Sequence, residues 1–220
     1  MTKQPDIITV TEDMEEAGAV VYWSLSGAIG TDELEIAWRT RGLDDTLLPD
    51  PVSPETALRR AVKEQQSSRR LVRASQKGWA IVDEVDGADG LEYSTLLSVG
   101  IDKVGRLTHD DDDGDQDILV AQVTEAYARF QDCLVQNDIS GWLVDMARRS
   151  QAVALRDRGG IYFIPANTLE HWRDVTGALK DASEHSCFEI PALQTEQAVD
   201  AILDAVTREA AAAAADMERE

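Results

Sequence analysis

From Trp79 to Leu107 the apolar residues fall at roughly alternate positions. They run WAIVDEV, then LEYSTLLSVGI and KVGRL, interrupted by the turn pairs Asp86-Gly87 and Asp89-Gly90. Successive strand residues point to opposite faces, so a period of two commits this stretch to an antiparallel hairpin or meander. A helix over the same residues would scatter its apolar groups around the cylinder. The rest of the chain has to pack against that sheet.

Ahead of it, AVVYWSL from Ala19 to Leu25 is a β-branched and aromatic run closed by Ser26 and Gly27, and it predicts a buried strand. Asp32 and Glu35 form a capping box for a short helix with Leu34, Ala37 and Trp38 on its apolar face, and Gly42 ends it. The connector LDDTLLPDPVSP, residues 43–54, holds three prolines that exclude regular structure, so it is expected to be flexible. Ser53 and Pro54 then supply an N-cap and first-turn pair. Leu58, Ala61, Val62, Leu71 and Val72 keep helical spacing, which predicts one long helix to about Ser75, ended by Lys77 and Gly78.

Beyond the meander lies LTHDDDDGDQD, an acidic loop over 108–117. Ile118, Val123, Ala126, Tyr127, Phe130 and Leu134 trace one helix stripe, and Trp142, Leu143, Met146, Ala147 and Val153 a second beyond Asn137-Asp138. The series then reads Gly159-Gly160, strand IYFIP, a helix capped by Asn167 with Glu170 at the box position, and strand CFEIP. A last helix opens at Thr195, with Val199, Ile202, Leu203 and Val206 expected to face a core. The alanine run Ala210–Ala215 followed by DMERE has helix propensity without an apolar anchor, so 209–220 is expected to fray. The fold class is α+β. One domain over 19–208 follows an acidic tail over 1–18, with helices covering one face of a mixed sheet of about five strands.

Charge describes the solvent. Acidic residues number 42 against 21 basic ones, a net charge of −21, and lysine occurs only at Lys3, Lys63, Lys77, Lys103 and Lys180. Such an excess repels itself at ordinary ionic strength, whereas molar salt shortens the screening length to roughly 3 Å. The composition resembles that of proteins from salt-in halophilic archaea. An acidic protein of a GC-rich bacterium or its phage would share the preference for arginine. Cys133 and Cys187 are too few for a disulfide scaffold and read as buried small apolar residues in a reducing cytoplasm. The amino terminus lacks the pattern of a signal peptide, and no stretch approaches the roughly 18 apolar residues of a membrane span. A soluble, cytoplasmic protein is expected.

The acidic loop fails as a calcium loop. Setting Gly114 at the sixth position puts His109 first and Val120 last, without the bidentate glutamate that completes the shell. As a mimic of DNA it is too compact, because DNA spreads its charge along an axis. It reads as solvated surface. The phosphate loop GxxxxGK, GxGxxG, GxSxG and HExxH are all missing from the sequence. His109, His171 and His185 leave little material for acid-base work, and in His185-Ser186-Cys187 neighbours on a strand point apart. Five Cys and His residues without paired spacing do not make a zinc site. No catalytic residue, metal or cofactor is expected.

One stretch reverses the charge: RRAVKEQQSSRRLVRASQK carries Arg59, Arg60, Lys63, Arg69, Arg70, Arg73 and Lys77 against the single acid Glu64. On a helix, Arg59 and Lys63 share a face, as do Arg69, Arg73 and Lys77, and like charges there repel unless an anion meets them. The anion is either the chain's own carboxylates (the acidic loop, Asp44-Asp45 or Asp83-Glu84) or nucleic-acid phosphate. Arg148-Arg149, Arg156 and Arg158 would extend the stripe if the fold brought them alongside. The lack of an interleaved aromatic favours the chain's own acids. ALRDRGGIYFIPA with the following TLEHW resembles uncharacterised proteins encoded by phages and plasmids. The resemblance covers the carboxy-terminal third, implies a mobile-element origin and assigns no activity. The expected function is non-enzymatic binding of a protein or nucleic-acid partner in a halophilic archaeon or its virus or plasmid. An enzyme with a dispersed active site is the alternative.

Overall fold

A computed structural model describes residues 16–67, 70–75, 78–87, 90–110, 116–156 and 159–217. The elements are β1 (Glu16–Ser24), β2 (Ala28–Gly30), α1 (Thr31–Thr40), a 3-10 turn (Asp45–Leu47), α2 (Pro54–Glu64), β3 (Arg70–Ser75), β4 (Gly78–Gly87), β5 (Gly90–Ile101), β6 (Leu107–Asp110), α3 (Asp117–Gln131), β7 (Cys133–Val135), α4 (Gln136–Arg149), β8 (Val153–Ala154), β9 (Ile161–Pro165), α5 (Ala166–Ala182), β10 (Ser186–Leu193) and α6 (Glu196–Met217). The class is α+β. In place of one mixed sheet, the described strands form three antiparallel sheets, ordered β10-β1-β9-β8, β2-β7 and β3-β4-β5-β6. By contacts the described residues cluster into two compact units, unit 1 with 16–27, 33–48, 136–156 and 159–217, and unit 2 with 28–32, 49–67, 70–75, 78–87, 90–110 and 116–135.

Unit 2 contains the meander that alternation predicts. Trp79 pairs with Val99, Ile81 with Leu97 and Ile101 with Leu107, with one bulge between Ile81 and Val82. Leu58, Ala61 and Val62 of α2 and Leu119, Val123 and Tyr127 of α3 bury against Ile81, Leu97 and Val99. Ser53 caps α2 with Pro54 in its first turn, as read from the sequence. The long basic helix is overturned. α2 stops at Glu64, and residues 70–75 are an edge strand with Val72 opposite Ile81 and Arg70 opposite Asp83. Ser67 accepts the Arg70 N–H on Oγ at 3.1 Å and donates its own N–H to the Arg70 carbonyl, which ties the segment after α2 to the start of β3. Pairing with β4 satisfies a row of backbone groups and puts Val72 on the core, which outweighs the helical spacing of Leu71 and Val72. Three other stripe assignments change. Ile118 is exposed, Leu134 lies in β7, which pairs with β2 and separates α3 from α4, and Val153 lies in β8, beyond the end of α4.

In unit 1, β1 is central, with Ala19 and Val21 fully buried, and α5 brings Trp172, Val175 and Leu179 into the core. Leu34 and Trp38 of α1 and Ile139, Trp142 and Leu143 of α4 complete it, the two indoles meeting at 5.6 Å. Both indole N–H groups donate to the connector, Trp38 to the Asp44 carbonyl at 3.0 Å and Trp142 to the Leu47 carbonyl at 2.8 Å. The first half of the connector is therefore anchored. Gly42 ends α1 at φ +68, where a side chain would strain the backbone, and the Leu43 N–H reaches back to the Trp38 carbonyl. The Asn167 cap is not formed. β9 runs directly into α5, Pro165 occupies the cap position, and Thr168 donates to the Ser150 carbonyl at 2.7 Å.

Candidate functional site

The structure divides the basic residues of unit 2 between two sides. Arg59 and Lys63 are exposed on the outer face of α2, whose inner face is Ala57, Leu58, Ala61 and Val62. Arg60 is half-buried. Val72 points at the core, so its strand neighbour Arg73 points away from the helices, where its guanidinium lies 4.3 Å from the centroid of the Tyr93 ring. Arg70 stands across from Asp83, one of the acids named as a partner from the sequence. Glu64 is taken by Arg129 at 2.5 Å. Arg69 and Lys77 lie outside the described residues, as do Arg158 and positions 111–115 of the acidic loop. No single basic stripe forms among the described members. Tyr93 is the aromatic that the local sequence lacked; it arrives from β5 through strand pairing, and nothing near Arg73 in sequence announces it.

The acidic loop is shorter than expected, because 107–110 form β6 and pair with Ser98–Ile101 while α3 begins at Asp117. Among the described residues no group of three His, Cys, Asp or Glu side chains is placed to hold a metal ion.

The His185-Ser186-Cys187 pair is chemically quiet. His185 Nδ1 accepts the Ser26 N–H at 3.2 Å, so that nitrogen is not available as a base. Burial lowers the His185 pKa and pushes the Cys187 thiol up to about 11, which keeps the sulfur protonated near neutral pH. Neither Cys133 nor Cys187 is in a disulfide, and both are half-buried, less enclosed than the sequence suggested.

α6 carries the largest departure from expectation. Thr195 caps it, its Oγ1 accepting the Ala198 N–H at 3.2 Å, but of the four residues assigned to a core only Ile202 is half-buried, and the other three face solvent. Val199, Leu203 and Val206 are 43%, 58% and 42% exposed, while Ala205 is the buried contact. Ala198, Ile202, Ala205 and Glu209 follow one helical face, the one that meets β8. Val199, Leu203, Val206, Ala210 and Met217 follow another, spaced four, three, four and seven, which is a heptad seam. Glu196, Asp200 and Asp204 continue around the helix beyond it, all exposed. The helix runs as one element through Met217, so the alanine run is helical. The heptad spacing was legible in the sequence; its exposure among the described residues was not.

Among the described residues no helix is long and apolar enough to cross a membrane. No curated protein and no solved structure matches the chain. A family profile does match, over residues 17–220, and by that match the chain belongs to DUF6744, a family of unknown function.

Proposed function

We propose that the chain is a non-enzymatic binding protein whose protein partner docks along the seam of α6, and that it works in the high-salt cytoplasm of a halophilic archaeon or its virus or plasmid. The exposed Val199-Leu203-Val206 seam carries the reading. Apolar groups repeating at coiled-coil spacing on a solvent face lose nothing by meeting a second helix and gain by leaving water. The occupant is an amphipathic helix with an apolar stripe and a basic flank, because Glu196, Asp200 and Asp204 line one side of the seam and would repel an acidic one.

The test titrates the full chain with a synthetic helix bearing leucine at its seam and lysine on its flanks, in salt high enough to screen diffuse attraction. Saturable one-to-one binding lost in Leu203→Asp, with the melting temperature unchanged, is expected because Leu203 is already exposed. Equal binding by wild type and variant would reduce the interaction to bulk charge and overturn the reading. A wild-type dimer in sedimentation that Leu203→Asp dissociates would assign the seam to a second copy and overturn it too. Nucleic acid is the second reading, favoured by the Arg73–Tyr93 pair. It requires Arg70→Gln with Arg73→Gln to weaken duplex DNA binding and flatten its salt dependence by roughly 0.9 in logarithmic slope per lost phosphate contact.

A further inference from the structure

Unit 1 holds an open cleft of about 380 Å³, bounded by α4, the β8–β9 edge of its sheet and α6. Ser140 and Arg148 reach it from one face of α4, eight residues apart. Trp23 of β1 and Tyr162 of β9 form an aromatic wall, their rings stacked at 5.5 Å and 6°. The Trp23 Nε1–H donates to Ser140 Oγ at 3.2 Å, which sets the indole and leaves the hydroxyl proton to donate elsewhere. The turn between β8 and β9 brings Arg156 and two glycines. Gly159 sits at φ +105, and a Cβ there would stand 3.2 Å from the Arg156 guanidinium; at Gly160 it would stand 3.1 Å from the Trp23 ring. The glycine pair lets an arginine and an indole lie directly against backbone.

Two guanidiniums face one cleft, and among the described residues neither has a close ion pair. Arg148 meets only Asp145, at 3.5 Å with both side chains mostly exposed, and Arg156 makes no ion pair among the described residues. Glu209 adds a carboxylate to the lining. A guanidinium fork matches a phosphate, an aromatic wall matches a flat ring, and a carboxylate accepts from hydroxyl or amino donors. The volume lies in the roughly 300–1,000 Å³ range of small-ligand sites.

We propose that this cleft binds a nucleoside phosphate. Arg148 and Arg156 hold the phosphate, Trp23 and Tyr162 take the base, and Glu209 accepts from the sugar hydroxyls or the base amino group. The chemistry is shared by a free nucleotide and by the terminal nucleotide of a strand. The site stands apart from the α6 seam and from the reading built on it.

Calorimetric titration of the full chain with adenosine 5′-monophosphate, ribose 5-phosphate, adenosine and inorganic phosphate tests it. The nucleotide should bind one to one, tenfold or more tighter than any of the three fragments. Arg156→Gln should weaken it by roughly tenfold or more, the effect of losing a charge-assisted hydrogen bond. Lys103→Gln, at an exposed position in unit 2, should leave it unchanged. Arg148→Gln, at an exposed position, carries the same test if Arg156→Gln fails to fold. Nucleotide binding no tighter than that of inorganic phosphate, or insensitive to both arginine variants, would overturn the proposal. A 5′-phosphorylated pentanucleotide that binds more tightly than the mononucleotide assigns the site to strand ends, and one that does not assigns it to free nucleotides; both support it.

Discussion

His185 shows how much one buried acceptor can determine. It is 3% exposed just ahead of β10, and because its Nδ1 accepts the Ser26 N–H the ring is neutral with its proton on Nε2. Burial lowers its pKa in the folded protein, so the unfolded chain takes up a proton that the folded chain refuses. The stabilisation is complete above the unfolded value near pH 6.5 and is lost as pH falls through the lower folded value. The melting temperature of the wild type should therefore fall more steeply from about pH 7.5 to about pH 5.5 than that of His185→Asn, whose amide oxygen accepts the same N–H without titrating. Parallel curves for the two proteins would show that His185 does not titrate across unfolding. Cys187, raised by burial, should resist alkylation near neutral pH in the same samples.

Elements are decided by partners as much as by their own residues. Leu71 and Val72 continue the helical spacing of Leu58, Ala61 and Val62, yet Gln65 to Ser67 turn the chain and β3 forms opposite β4. As the edge strand of its sheet, β3 bonds β4 through only every second residue. Hydrogen exchange should show alternating slow and fast amides over residues 70–75. Uniform protection would mark a helix and refute the strand. The charges of Arg70 and Arg73 also suit an edge, where they discourage pairing with another chain. α6 teaches the same lesson in reverse, since its local pattern is fully helical while Val199, Leu203 and Val206 stay exposed among the described residues.

On the scale of the whole chain, the net charge of −21 is met by few ion pairs, and those described are at the surface. Arg41 reaches Asp181 at 2.7 Å, Arg129 reaches Glu64 at 2.5 Å, and Arg173 pairs with Glu189 and, more loosely, Glu16. Exposed pairs of this kind contribute about 0–1 kcal/mol each, too little to offset repulsion among twice as many acids as bases. Raising potassium chloride from low concentration to molar should raise the melting temperature by at least roughly 2–4 °C, the shift that about 1 kcal/mol produces in a chain of this size. A melting temperature indifferent to salt would remove the case for a high-salt cytoplasm. The two units offer a further readout, because loss of charge repulsion within each should shift both transitions if they melt separately.

Local energies were legible in the sequence by itself. The alternation from Trp79 to Leu107 specified the meander, Ser53-Pro54 and Gly42 marked helix ends, and the stripes of Leu34, Ala37 and Trp38 or Trp142, Leu143 and Met146 named core residues that are buried. Periodicity and capping act within a few residues, so the sequence contains their cause. Tertiary structure alone decided that β3 is a strand, that Tyr93 lies under Arg73, and that the seam of α6 is exposed among the described residues. It also gathered Trp23, Ser140, Arg148, Arg156 and Glu209 around one cleft from positions spread over most of the chain. Those outcomes depend on which segment pairs with which, and that choice is made by burial and backbone hydrogen bonding summed over distant residues.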